Sequence, residues 1–210
     1  MMTSWDAPGG RHARPDDFAQ EERHRQVELI RNLFRRLFGG SPGPEQSSTD
    51  GSSDDTYSAL RHQALSVQRS DLGIPEPPPE APAWGILMET GYPEASATLL
   101  ALGDGTTSLY LSTGGGVIGG QAHQNVREAN AEFVEAANRH YQHLKPTDSF
   151  PLPAEGQTVF YVLTDSGVLT GAGREEELGL WEHPLSSLFH EGHRVITQLR
   201  LISEDTRGGD

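Results

Sequence analysis

The sequence predicts an α+β fold: a mainly antiparallel five-stranded sheet in the order βββ-α-ββ-α, with two amphipathic helices on one face. Three observations carry this expectation. The hydrophobic runs between residues 84 and 172 are short, and most are joined by tight-turn sequences rather than helices. Two longer stretches, 121–144 and 184–203, repeat apolar residues at helical spacing. Before Trp84 the chain is polar and interrupted by Pro, Gly and Ser, so the compact domain is expected over residues 84–203.

Taken in order, residues 1–17 read as disordered. Residues 18–38 read as an amphipathic leader helix, with Asp16 or Asp17 as cap and Glu21 and Glu22 in the first turn, where the helix dipole favours anions. Its apolar stripe is Val27, Ile30, Phe34 and Leu37, widened by Leu29, Leu33 and Phe38 and flanked by five arginines. Gly39-Gly40 stops it, and Pro42 and Pro44 prevent a restart. Residues 39–83 read as a flexible Ser/Gly/Pro-rich linker with a short helix near 56–69. Its last ten residues, 74–83, hold five prolines and are expected to be extended.

Strands are expected at 84–90, 95–103 and 106–112. Gly91-Tyr92-Pro93-Glu94 joins the first two, and Asp104-Gly105, a strong hairpin signal, joins the second and third. A glycine-rich loop, 114–120, precedes the helix at 121–144, whose stripe is Ala122, Val126, Ala129, Phe133, Ala137, Tyr141 and Leu144. Residues 157–164 and 168–172 form a second hairpin around Asp165-Ser166-Gly167. The last helix, 184–203, has Pro184 in its first turn, and residues 204–210 read as a disordered tail. Trp84, Ile86, Leu100, Leu102, Tyr110, Phe160 and Val162 are too many for one face of such a sheet, so its second face needs cover, from the leader helix or from another subunit.

Composition narrows the chemistry. No cysteine is present, which excludes disulfides, thiolate nucleophiles and Cys-ligated metals. The net charge is −14, and residues 41–210 carry nine basic against 24 acidic residues, so the folded part repels phosphate backbones; no nucleic-acid partner is expected. No apolar run approaches the ~20 residues that span a bilayer, and the N-terminus lacks a basic-then-apolar secretory pattern. The expected location is cytoplasmic.

Four features bear on function. Gly114-x-Gly116-x-x-Gly119 has the glycine spacing of a dinucleotide fingerprint, but it follows a hairpin meander and precedes an uninterrupted helix rather than a βαβ unit. It is read more broadly as a ligand loop formed by Gly114, Gly115, Gly116, Gly119 and Gly120 with His123 nearby. His183, His190 and His193 are candidate metal ligands, although the His190-Glu191-Gly192-His193 spacing is three rather than the four that turns both imidazoles to one ion. No Gly-x-Ser-x-Gly elbow or phosphate-binding Gly-x-x-x-x-Gly-Lys loop occurs. Ile30, Leu33, Phe34, Leu37 and Phe38 are candidate partner-binding residues. Peripheral membrane contact by residues 18–38 is a weaker reading, given the helix's three acids and absence of lysine. The sequence therefore leads to a non-catalytic protein-interaction or regulatory module with a tethered recognition helix, self-associating or binding a protein partner, with no cofactor. The alternative is a small-ligand sensor or enzyme, for an anion or phosphometabolite, centred on 114–120.

Overall fold

A computed structural model describes residues 52–207, with side chains from 56 to 204. The leader helix expected at 18–38 lies outside the described residues. The chain runs through helix α1 (Ser52–Ser66), strands β1 (Ala83–Tyr92), β2 (Ala95–Leu102), β3 (Thr107–Leu111) and β4 (Gly116–Ile118), helix α2 (Gln124–Arg139), strands β5 (Lys145–Thr147), β6 (Gln157–Thr164) and β7 (Gly167–Arg174), and helices α3 (Glu175–Gly179) and α4 (Ser186–Arg207). The strands form one sheet in the order β4-β3-β2-β1-β6-β7-β5, and every pair of neighbours is antiparallel.

The sheet has seven strands, not five. The two additions are its outermost members, three residues each, too short to show a hydrophobic period in the sequence. Short edge strands also leave little unpaired backbone to recruit other chains. One of them, β4, lies inside the glycine-rich stretch expected to be loop. The other, β5, lies just beyond the segment expected as one helix over 121–144. That helix stops at Arg139; His140 leaves helical geometry, and Tyr141–His143 form a single 3-10 turn.

The hairpins form where the turn residues dictate. Tyr92 pairs with Ala95 around Pro93-Glu94, and Thr164 pairs with Gly167 around Asp165-Ser166. At Asp104-Gly105, Gly105 takes φ +90° and donates to the Leu102 carbonyl, while the Asp104 carboxylate accepts from the Thr106 amide and hydroxyl.

Both faces of the sheet are covered. On one, Ile86, Met88, Leu99, Leu109, Phe160 and Val162 pack with Val126 and Phe133 of α2 and Leu188, Phe189 and Leu199 of α4. Burying each such side chain stabilises the fold by about 1.5–3 kcal/mol. The opposite face carries Trp84, Leu87, Leu100, Leu102, Tyr110, Tyr161 and Leu163. Its cover is α1, through Tyr57 and Ala64, with Ile74 from the segment that follows. Tyr57, Leu60, Arg61 and Ala64 stand at the three- and four-residue spacing that places them on one helical face. The helix expected inside a linker is thus a layer of the fold, and the described fold includes residues before Trp84. α4 likewise continues past residue 203 to Arg207. Trp84 reaches the α1 side through an irregularity in β1, where the register against β6 shifts between Ala83 and Gly85. Among the described residues no helix is long and apolar enough to cross a membrane.

Candidate functional site

The glycine stretch resolves into parts with separate structural reasons. Gly114 and Gly115 close the β3–β4 hairpin at φ +92° and +84°, with the Gly114 amide donating to the Leu111 carbonyl and the Leu111 amide to the Gly115 carbonyl. Gly116, at φ +152°, sits opposite Tyr110, and a Cβ there would run into the Leu109 carbonyl oxygen. Gly119 turns the chain at φ +87°. Gly120 is buried, and a Cβ on it would meet Leu199 at 2.5 Å. The stretch leads from one antiparallel strand into another and then into a 3-10 turn, so it lacks the strand–loop–helix geometry that cradles a pyrophosphate. His123 stands exposed at the start of α2 and makes no capping bond there.

Part of this stretch does line a concavity. Gly114, Gly115 and Gly116 form one wall of a groove of about 380 Å³ between α1 and the β3–β4 hairpin. The remaining lining is Thr56, Tyr57 and Leu60 from α1 with Tyr110, Leu111 and Ile118. No described lining residue is charged. Ile118, at the rim, is 70% exposed, the largest exposure among the big apolar side chains described. Gly119, Gly120 and His123 do not line the groove.

Beneath α1 lies a polar network that sequence reasoning missed. Arg61 Nε donates to Glu89 Oε1 at 2.7 Å and its Nη2 to Oε2 at 2.8 Å; Nη2 also donates to the Phe150 carbonyl at 2.8 Å. Glu89 is fully buried in β1. The Thr98 hydroxyl on β2 donates to Glu89 Oε1 at 3.1 Å, so Tyr57 Oη, 2.9 Å from Thr98 Oγ1, donates to that hydroxyl. Burial opposes the Arg61 cation, but its bonds to Glu89 and their mutual attraction outweigh burial and raise its pKa. Burial, then the nearby Glu89 charge, raises that of Tyr110, whose hydroxyl is buried without a hydrogen-bond partner. The faint signals in the sequence were an acid inside the apolar run of β1 and Tyr57 and Arg61 four residues apart.

A second groove, about 340 Å³, lies along α1 beside the 150–152 segment. It is lined by Tyr57, Ser58, Arg61, His62, Leu65, Ser66, Phe150 and Leu152, with the Arg61 guanidinium paired to Glu89.

The histidines do not come together as a metal site. Among the described residues no group of three His, Asp or Glu is placed to hold an ion. His183 Nδ1 accepts the Leu185 amide at 3.1 Å. His190 stacks on Trp181 at 4.2 Å, and burial lowers its pKa against a backbone hydrogen bond to Gly179. His193 is buried against Phe189 at 4.2 Å, and burial, with His190 nearby, pushes its pKa down to about 3. Gly192 between them faces the sheet, where a Cβ would lie 2.7 Å from Met88 Sδ. Gly192 and His193 thus belong to the packed face of α4, while Glu191 pairs with exposed Arg194. The candidate partner-binding residues Ile30, Leu33, Phe34, Leu37 and Phe38 lie outside the described residues.

The chain matches no protein-family model, and comparison with curated proteins and with solved structures gave no match.

Proposed function

We propose that the protein is a non-catalytic interaction module whose binding surface is the groove between α1 and the β3–β4 hairpin. The observation that carries this reading is a concavity with no charge in its described lining, rimmed by exposed Ile118 and walled by Leu60, Leu111 and the Tyr110 ring. Such a surface suits the apolar stripe of an amphipathic helix, which anchors through side chains at three- and four-residue spacing. The groove's described lining offers no nucleophile–base pair and no cation for an anionic substrate, which favours this reading over a phosphometabolite site at the glycine stretch. Selection from a random-peptide library against the full-length chain tests it. Bound peptides should share helically spaced large apolar residues and should lose affinity at least ~10-fold, about 1.4 kcal/mol, against Ile118→Asp. Selected peptides that bind Ile118→Asp unchanged would place recognition elsewhere and end the reading.

A further inference from the structure

We infer that the groove between α1 and the β3–β4 hairpin is the docking site of the chain's own segment 18–38, which occupies it until a competing partner helix displaces it. This rests on the groove being an interaction surface and names its resident occupant.

The first argument is reach. Sequence alone puts about 45 residues between the leader stripe and the folded domain, but α1, a layer of the fold, already includes Ser52. Only residues 39–51, thirteen in number, separate the segment from α1. Fully extended they span at most ~45 Å. The groove is lined by Thr56, Tyr57 and Leu60, from the first half of α1. The leader is therefore tethered beside this groove at an effective concentration on the order of millimolar.

The second argument is chemical fit. Val27, Ile30, Phe34 and Leu37 recur at the spacing that would put them on one face of a helix, a pattern suited to a lining of Leu60, Tyr110, Leu111 and Ile118. Residues 23–36 carry five arginines against one acid, Glu28, whereas residues 41–210 are strongly acidic, so approach is favoured over a distance. The lining also distinguishes the two grooves flanking α1. The second is edged by Ser58, Arg61, His62 and Ser66, and its exposed apolar residue is Leu152, 49% exposed. The first is rimmed by Ile118, 70% exposed, and its described lining holds no charged residue.

The absence of cysteine permits a direct test in the full-length chain. Phe34→Cys is paired with Ile118→Cys, at the rim of the first groove, or with Leu152→Cys, 49% exposed in the second. Both rim positions are exposed, so each substitution should leave the reduced protein's melting temperature unchanged. Under mild oxidation at micromolar protein, the Phe34/Ile118 pair should close an intramolecular disulfide at least ~10-fold faster than the Phe34/Leu152 pair. Adding Leu37→Glu should slow it to the rate of the control. Equal rates for the two pairs, no cross-link, or a cross-link formed solely between molecules would overturn intramolecular docking. This measurement needs no partner, so it still reports where residues 18–38 dock when the resident segment blocks the peptide selection.

Discussion

Replacing Arg61 with alanine isolates the contact that fastens α1 to the sheet. Glu89 is fully buried, and the Arg61 side chain retains 14% of its accessible surface. The substitution removes both guanidinium bonds to the carboxylate and the bond to the Phe150 carbonyl, leaving Glu89 with the Thr98 hydroxyl at 3.1 Å. Breaking one partner out of a buried pair costs about 3–5 kcal/mol, because the remaining charge stays in a medium that solvates it poorly. For a chain of this size that corresponds to a fall in Tm of roughly 6–20 °C. Replacing both partners, Arg61→Met with Glu89→Leu, should recover most of the loss, since apolar groups of similar volume need no compensation. Urea unfolding followed by tryptophan fluorescence, applied to the original chain, Arg61→Met, Glu89→Leu and the double variant, measures the four corners of the cycle without adding salt. A loss below ~1 kcal/mol for Arg61→Ala is what an exposed ion pair gives. That result would refute the packing of α1 on the sheet, and the groove beside α1 would go with it.

Three further outcomes are expected. His193 has a folded-state pKa of about 3 against an ordinary value of 6.5, so the fold holds it neutral and the unfolded chain binds the proton more readily. Stability from this residue is complete above pH 6.5 and is lost as pH falls from there toward 3. About 2 kcal/mol should disappear by pH 5, and His193→Leu should flatten that part of a urea-midpoint-against-pH curve. Gly116→Val should unfold the β3–β4 hairpin, because its Cβ has no space beside the Leu109 carbonyl; Gly115→Ala, with φ +84° but nothing within 4 Å of a Cβ, should cost only about 1 kcal/mol. Thermal melting and amide exchange at residues 116–118 read the difference. Gly192→Ala should destabilise by about 1–3 kcal/mol despite alanine's better helix propensity, because its methyl must displace Met88 and Phe133; an unchanged melting temperature would mean that α4 is not seated on β1.

Some of this architecture is local and some is not. The Asp104-Gly105 turn, the alternation that puts Leu99 and Leu100 on opposite faces, and the 126/129/133/137 stripe of α2 follow from backbone sterics and side-chain period, and a single sequence contains both. The three-residue strands β4 and β5 have too few residues to express a period. They exist because a neighbouring strand, β3 or β7, supplies the hydrogen bonds. The helix near 56–69 was readable as a helix, but not as a layer of the fold. Its apolar positions are few, and what fastens it is an ion pair across 28 residues of sequence.

The order of hydrophobic runs, the turn chemistry, the acidity and the lack of cysteine were settled by the sequence alone, because each depends on residues close to one another or on their sum. The side to which Trp84 turns, the burial of Glu89 beside Arg61, the separate partners of His183, His190 and His193, and the groove beside Ile118 were decided by tertiary structure. Each depends on two distant segments meeting in one register, which no local propensity specifies.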